Sequence, residues 1–81
     1  MPKYFFHSED GHIFHDAEGT ELADVAAARA EATRFAAALL TDRPQELWES
    51  TSWRLIVVDE QKAILFTIEL KTSIGSAVIV R

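Results

Sequence analysis

The segment Trp53–Leu70, WRLIVVDEQKAILFTIEL, carries the clearest strand pattern in this sequence of 81 residues and decides the fold. Side chains alternate in character on both sides of the polar stretch Asp59–Lys62, most regularly from Ile64 to Leu70. A period of two places alternate side chains on opposite faces of a strand, and a polar stretch between two such runs indicates a turn. The segment therefore predicts an antiparallel β-hairpin.

The alanine-rich segment before this hairpin predicts one α-helix. Asp24 is the expected N-cap and Val25 the first helical residue. Pro44 disfavours helical geometry at Arg43, so the helix is expected to end near Leu40. Apolar residues at helical spacing form a stripe that should pack on the sheet. This stripe contains Val25, Ala28, Ala32, Phe35, Ala36 and Leu39.

The N-terminal residues predict a second hairpin. Tyr4–His7 and His12–His15 flank Ser8–Gly11, which ends in an Asp-Gly turn signal. A loop of two or of four residues gives the same distribution of side chains. One face then carries Tyr4, Phe6, Ile13 and His15, and the other carries Phe5, His7, His12 and Phe14. Because both faces carry aromatic rings, the face away from the core is expected to be a second contact surface or partly exposed.

The order of elements predicts the architecture. Two hairpins around one helix, β-β-α-β-β, imply an α+β two-layer sandwich with the helix on a mainly antiparallel sheet. Ala77–Val80, after Gly75-Ser76, is a candidate additional strand. The length suits a single domain over residues 1–81, and the composition, 48% hydrophobic and 26% charged, is that of a globular chain.

Charge and composition exclude several classes of protein. Thirteen acidic against eight basic residues give a net charge of −5, which argues against nucleic-acid and anionic-membrane binding. The absence of cysteine excludes disulfides and cysteine-based zinc sites. No apolar run approaches the roughly 20 residues of a membrane-spanning helix, and no export signal is visible. We therefore expect a small acidic cytoplasmic protein.

Several separated motifs resemble one family. They are Pro2-Lys3-Tyr4-Phe5-Phe6-His7, the pattern D-x-E-G-x-E-L-x-D over Asp16–Asp24, A-A-R-x-E-A over Ala27–Ala32, and the later stretches Trp53–Glu60 and Leu65–Ile68. The sequence is similar to small uncharacterised bacterial proteins of the domain-of-unknown-function family 6894, which is abundant in alphaproteobacteria. The resemblance covers about residues 2–70 and leaves 71–81 as an extension. It implies a bacterial source and a topology, and no activity.

Three histidines beside carboxylates are weak candidates for a metal site. His7, His12 and His15 lie near Glu9, Asp10, Asp16 and Glu18 in the sequence. Imidazole and carboxylate groups bind Zn²⁺ or Ni²⁺, but the spacing contains no tight ligand signature. We therefore expect ordinary sheet and turn histidines, with neither metal nor cofactor.

An acidic cluster precedes the helix. Asp16, Glu18, Glu21 and Asp24 could supply acid–base chemistry or a Ca²⁺ loop, yet their spacing is not that of an EF-hand. A structural role is favoured, with Gly19 forming a turn and Asp24 capping the helix. Arg29 is expected to form an ion pair with Glu21 or Asp16, with a role in binding a ligand carboxylate as the alternative.

No residues are predicted to be catalytic. The chain has no cysteine, its serines stand in no nucleophile-elbow pattern, and its three glycines form no phosphate-binding loop. Trp53 is expected to begin a core-facing strand row. Trp48 lies in Gln45–Ser52, a connection with at most one irregular helical turn. It is a better candidate than Trp53 for an exposed anchor, although a lid over the core is the favoured role.

The resulting functional prediction is a non-catalytic binding or regulatory module that acts through its sheet surface, with a second copy, another protein or a small molecule as partner. The candidate interaction surface consists of Phe5, His7, His12, Phe14, Trp48, Val78 and Val80. The apolar tail Ala77–Val80 would add to a sheet edge within one chain or between two chains of a homodimer. Two alternatives are an antitoxin-like regulator linked to nucleic acid, which needs a clustered basic face, and a metal-binding protein.

Overall fold

The structure, a computed structural model, describes residues 1–73 and residue 75. Its elements are β1 (Lys3–Glu9), β2 (Ile13–Phe14), β3 (Thr20–Glu21), α1 (Val25–Asp42), α2 (Pro44–Ser50), β4 (Ser52–Val58) and β5 (Ile64–Lys71). Five antiparallel strands form one sheet, and the helices accompany it, which confirms the predicted α+β fold. The candidate strand Ala77–Val80, with Val78 and Val80, lies outside the described residues.

Strand β1 joins the two predicted hairpins into one sheet. The strand order is β2-β1-β4-β5, and β3 pairs with the N-terminal end of β1 on the same side as β2. Phe6 lies opposite Val57 on β4, and Leu55 of β4 lies opposite Ile68 on β5. The side chains that line one face of the sheet therefore come from both ends of the described chain.

The turn of the N-terminal hairpin differs from the prediction. Glu9 pairs with Ile13 and Ser8 with Phe14, which leaves a loop of three residues, Asp10 to His12. An odd loop length shifts the register by one residue, and a shift of one moves every following side chain to the other face. Phe14 therefore lies on the Tyr4 and Phe6 face, and Ile13 on the Phe5 and His7 face. The predicted grouping was wrong at both positions, and also at His15, whose ring lies beside that of His7.

Helix α1 begins as predicted and continues further. Asp24 has an extended backbone, and its Oδ1 accepts a hydrogen bond from the Ala27 N–H at 2.9 Å, which confirms the N-cap. The helix ends at Asp42, two residues beyond Leu40. Pro44 is the first residue of α2. The N–H at this position has no acceptor within a helix, so a proline costs no hydrogen bond there. The predicted connection is thus a regular helix of seven residues.

The face that α1 presents to the sheet is narrower than predicted. Ala28, Ala32, Ala36 and Leu39 are buried. Phe35 is 45% exposed and Val25 is 38% exposed, so their predicted burial was wrong. Val25 lies in the first turn, at the end of the helix. Phe35 lies at the margin of the stripe, where its ring centroid is 5.4 Å from that of Phe6.

The core lies between the helices and one face of the sheet. It unites residues of β1, α1, α2 and β4, and Phe66, Ile68 and Leu70 of β5 pack against it half-buried. Trp53 is buried as predicted. Trp48 is 55% exposed, so it does not form the favoured lid over the core, and its exposure agrees with the anchor alternative. Among the described residues, no helix has the length and hydrophobicity needed to cross a membrane.

Candidate functional site

The face of the sheet opposite the helices carries a separate apolar surface. Val58 is buried but does not belong to the core cluster, because alternation along β4 points it away from the helices. Phe5 and Ile64 flank it on the neighbouring strands, so the three side chains form a row across the sheet. Ile56 lies two residues before Val58 on β4, so its side chain is on the same face. We call these four side chains the apolar floor.

The apolar floor is the bottom of a concave site, which we call the outer groove. Its volume is about 580 Å³. This value lies within the roughly 300–1,000 Å³ typical of small-molecule sites. Polar side chains predominate in its walls at two ends. One end consists of His7, His15, Asp16 and Ala17, and the other of Asp59, Glu60 and Lys62.

Two imidazoles meet at the first end of the outer groove. The ring centroids of His7 and His15 are 5.2 Å apart in an edge-to-face arrangement. The Nδ1 atom of His7 accepts a hydrogen bond from the backbone N–H of Asp16 at 3.0 Å. An accepting Nδ1 carries no proton, so this bond requires the tautomer protonated at Nε2. His7 therefore fastens the segment after β2 to β1.

Asp16 links three parts of the chain through its carboxylate. One oxygen accepts from the Phe6 N–H at 3.1 Å. The other accepts from the N–H groups of Glu18 at 3.1 Å and Gly19 at 3.0 Å. The Phe6 N–H points away from β4 into the gap between β2 and β3, where it has no strand partner. Asp16 therefore takes the place of a missing strand at the edge of β1.

The hydrogen bonds to Asp16 also determine its charge. Burial would raise the pKa of its carboxyl, but the N–H groups of Gly19, Phe6 and Glu18, together with nearby His7, lower it below the ordinary value of 3.8. Asp16 is thus held as a carboxylate with a structural role, as favoured for the acidic cluster. The predicted ion pair of Arg29 with Glu21 or Asp16 is absent from the described residues.

The second end of the outer groove also carries carboxylates engaged by the backbone. Asp59 accepts from the N–H groups of Gln61 at 2.9 Å and Ala63 at 3.0 Å. Glu60 accepts from the Lys3 N–H at 3.2 Å. With Asp16, the described residues of the lining contribute three carboxylates and one ammonium group, that of Lys62. The groove is therefore net negative when the imidazoles are neutral.

A row of charged side chains borders the outer groove on the same face. Arg54 Nη2 lies 2.8 Å from Glu69, and its Nη1 lies 3.9 Å from Glu9. Lys71 Nζ lies 3.5 Å from Glu69. The hydrogen bond from Arg54 is the main cause that lowers the pKa of Glu69. These pairs are exposed, so we assign them a role in shaping the rim rather than in stability.

A second groove lies on the helix side of the sheet, in the region that α1 does not cover. It has a volume of about 760 Å³ and includes the aromatic side chains of Phe6, Phe14, Phe35 and Trp53. Two of the predicted interaction residues, His12 and Phe14, line this groove. Phe5 and His7 line the outer groove instead, and Trp48 stands alone on α2. The structure therefore divides the predicted surface into three places.

The predicted metal candidates are divided in the same way. His7 and His15 lie together, but His12 occupies the hairpin turn and lines the helix-side groove. Within residues 1–73 and 75, no three histidine or carboxylate side chains are grouped as a metal site requires. His7 also uses Nδ1 to bind the backbone, which leaves one ring nitrogen free.

Sequence reasoning missed most of the apolar floor, although a signal was present. Ile56, Val58 and Ile64 were not proposed as surface residues. Strand β4 reads Leu55-Ile56-Val57-Val58, so apolar residues occupy both alternating sets. A strand that is apolar on both faces indicates contact on both faces. This pattern could have identified the outer face of β4 as a binding surface.

The fold and the outer groove together define a small α+β protein with a ligand-sized depression on an open sheet face. Comparison with protein families then places it. The chain belongs to the family described as Domain of unknown function (DUF6894), whose sequence profile matches residues 3–71. No curated protein and no solved structure matches the chain significantly.

Proposed function

We propose that this protein is a small non-catalytic binding module whose outer groove binds an apolar group bearing a positive charge. Such a group could belong to a free amine or to a lysine- or arginine-containing protein segment. The observation that carries the proposal is the apolar floor on a sheet face that neither described helix covers. A bacterial, cytoplasmic setting, with an alphaproteobacterial source, belongs to the same proposal and rests on the sequence resemblance.

The apolar floor supports the apolar part of the ligand. Ile64 is 66% exposed, and Phe5 and Ile56 are each partly exposed beside the buried Val58. Contiguous apolar surface rimmed by polar groups commonly marks a binding site. Covering it releases water and contributes about 25 cal/mol for each Å² of apolar area buried. An apolar ligand surface is therefore favoured over a fully polar one.

The walls support the positive charge. Asp16 and Asp59 accept backbone hydrogen bonds that fix their position, so their charges stay at the groove when a ligand arrives. Among the described residues that line the groove, Lys62 is the one cation beside these carboxylates and Glu60. Complementary charge contributes to selectivity between ligands of similar shape. A cationic ligand should therefore be preferred over an anionic ligand of the same size.

Four of the other described cations lie in ion pairs, which gives the nucleic-acid alternative little support. Arg34 pairs with Glu31, and Arg43 with Glu46. Arg54 and Lys71 both lie against Glu69. Phosphate binding needs clustered basic side chains with free charge, whereas these four are already opposed by carboxylates. The proposal that the module is not an enzyme rests on the absence of a nucleophile motif and on the structural use of Asp16 and Asp59.

A nuclear magnetic resonance titration with benzylamine and benzoate tests the proposal, because the two probes share a ring and differ in charge. On the ¹⁵N-labelled full chain, benzylamine should shift the amides of Phe5, His7 and Ile64 in a saturable manner, and benzoate should shift them less. Absence of saturable shifts in the outer groove, or equal binding of the two probes, would contradict the proposal.

A matched pair of variants locates the binding. Ile64→Lys places a cation on the apolar floor, and Ile13→Lys makes the same change at a residue of similar exposure, 60%, that does not line the outer groove. Ile64→Lys should abolish the benzylamine shifts, and Ile13→Lys should leave them. Retention of binding by Ile64→Lys would show that the ligand lies elsewhere.

A further inference from the structure

We propose that the edge of β5 that no described strand covers, here called the free edge, pairs with β5 of a second copy of this chain, antiparallel and about a two-fold axis. This interface is distinct from the outer groove and goes beyond the proposed function. It would join the sheets of two copies into one continuous sheet. The inference rests on the position of β5, on the direction of its backbone groups, and on the symmetry of its side-chain pattern.

Strand β5 forms one edge of the described sheet. It has eight residues, Ile64–Lys71, and pairs on one side with β4. No strand in the described part of the chain pairs with its other side. Native edge strands are commonly protected by charges, proline or a short length. The stretch Ile64–Ile68, ILFTI, has no charge and no proline.

One backbone bond determines which groups of β5 face the free edge. The Thr72 N–H donates to the Thr51 carbonyl at 2.9 Å, directly beyond the pairing of Ser52 with Lys71. Opposite residues in an antiparallel ladder alternate between hydrogen-bonded and non-bonded pairs. Leu70 and Ile68 therefore direct their backbone groups to β4. Those of Thr67, Glu69 and Lys71 point to the free edge.

The opposite side of the sheet agrees with this assignment. If Leu55 and Val57 bond to β5, then Ile56 must bond to β1, where it faces His7. Alternation along β1 then points the Phe6 N–H away from β4. Phe6 does donate in that direction, to Asp16 at 3.1 Å. The alternation is thus consistent across β1, β4 and β5.

A second copy of β5 fits this edge in a symmetric register. With the axis at Ile68, Thr67 faces Glu69 of the second copy and Phe66 faces its Leu70. Each of the two Thr67–Glu69 pairs can exchange two backbone hydrogen bonds. The half-buried row Phe66, Ile68 and Leu70 would continue into the same row of the other copy and lose its remaining exposure. An isologous interface of this kind closes at two subunits.

Charge also favours the register centred at Ile68. The edge carries one acidic residue, Glu69, and one basic residue, Lys71, so edge charges do not oppose self-association. An axis at Glu69 would place two carboxylates directly opposite, which is unfavourable across strands. The axis at Ile68 places each Glu69 opposite a threonine hydroxyl instead.

Sedimentation of the full chain with two substitutions at one position tests the interface. Thr67→Pro removes an N–H that points to the free edge and breaks no bond to β4. A strand tolerates proline at such an edge position. Thr67→Ala alters the same side chain and keeps the N–H. The full chain and Thr67→Ala should dimerise between low micromolar and millimolar concentration. Thr67→Pro should dimerise about tenfold or more weakly, because each copy loses one interface hydrogen bond.

Amide hydrogen exchange gives a second readout on the unmodified chain. The amides of Thr67 and Glu69 should become more protected as concentration rises, while the Ile68 amide, bonded to β4, should be protected throughout. This measurement decides the question if Thr67→Pro fails to fold. Protection of Thr67 and Glu69 that does not depend on concentration would overturn the proposal.

Substitutions in the apolar tail, Ala77–Val80, distinguish a dimer that forms through β5 from one that forms through the tail. A full-length variant with Val78→Asp and Val80→Asp should dimerise like the unmodified chain if β5 pairs with β5. A monomeric tail variant would overturn the proposal, because the dimer would then depend on the tail. The proposal also fails if the unmodified chain is monomeric at millimolar concentration, or if Thr67→Pro dimerises as tightly as Thr67→Ala. Benzylamine binding in the outer groove would be unaffected by either result.

Discussion

Asp16 shows how one side chain can complete a sheet that the strands leave incomplete. Strands β2 and β3 cover the two ends of β1, and the carboxylate of Asp16 accepts the Phe6 N–H between them. The same carboxylate holds the turn at Glu18 and Gly19. Because a buried N–H without an acceptor is costly, the edge of β1 depends on this residue.

Replacing Asp16 by asparagine should therefore destabilise the fold in a pH-dependent way. The asparagine side chain would keep one acceptor oxygen and present an amide group to a backbone N–H, so we expect a loss of about 1–2 kcal/mol at neutral pH. Because folding lowers the pKa of Asp16, its carboxylate contributes its full stabilisation at pH values above the ordinary pKa of 3.8. This stability is lost as pH falls through the lowered folded-state pKa. The difference between the two proteins should narrow below about pH 4.

Urea unfolding at neutral and at acidic pH measures this effect. Asp10→Asn is the matched control, because Asp10 accepts one hydrogen bond, from the His12 N–H, in an exposed turn. We expect a change within about 0.5 kcal/mol for this control. A constant difference between Asp16→Asn and the unmodified chain down to strongly acidic pH would refute the assigned role of the carboxylate.

Gly19 is required by both its backbone angle and its surroundings. Its φ is +75°, and a β-carbon there would lie 2.7 Å from Lys3 Cγ and 2.8 Å from the Phe5 ring. Gly11 also has a positive φ, +101°, but a β-carbon there would meet nothing within 4 Å. Gly11→Ala should cost about 1 kcal/mol from the backbone alone, and Gly19→Ala about 2 kcal/mol or more. Chemical denaturation of both variants compares them, and equal losses would show that the contacts with Lys3 and Phe5 relax freely.

At the scale of the elements, α1 approaches the sheet through alanine. Ala28 and Ala32 are fully buried, so the helix backbone lies close to the strands and larger side chains remain at the margins. Leu39 is 3% exposed and fills the space near α2, whereas Phe35 is 45% exposed. Leu39, and not Phe35 as the sequence suggested, is therefore the large core residue of this part of α1.

Replacing the smaller side chain, Leu39, by alanine should cost more stability than replacing the larger one, Phe35. Leu39→Ala should cost about 3 kcal/mol, because it leaves a cavity in the core. Phe35→Ala should cost about 1 kcal/mol, since it removes a partly exposed ring and its contact with Phe6. Thermal or urea unfolding measures both losses. A larger loss for Phe35→Ala would mean that its ring is covered in solution.

At the scale of the molecule, one core cluster should produce one cooperative transition. Residues of β1, both helices and β4 contact one another in this cluster. Small proteins with one core usually unfold in a two-state manner. In a Trp48→Phe variant, Trp53 becomes the reporter of β4, while far-ultraviolet circular dichroism reports the helices. Their urea midpoints should coincide, and separate midpoints would show that helices and sheet unfold independently.

Local signals predicted the two hairpins and α1, but they missed α2 and the short strand β3. The Asp24 cap, the beginning of α1 and the hairpin of β4 and β5 depend on contacts within a few residues. The face assignment in the first hairpin failed because it depends on loop parity, which one extra residue reverses. The burial of Phe35 failed for another reason, since periodicity gives the direction of a side chain and not the extent of the sheet beneath it.

The sequence alone determined the α+β class, the order of the two hairpins and α1, and the apolar set from which a core could form, because these follow from hydrophobic period, caps and turns. Only the tertiary structure decided that β1 pairs with β4, that Asp16 completes the edge of β1, and that Phe5, Val58 and Ile64 meet in the outer groove. These features join residues distant in sequence. Their alignment depends on strand register and three-dimensional packing, which no local pattern specifies.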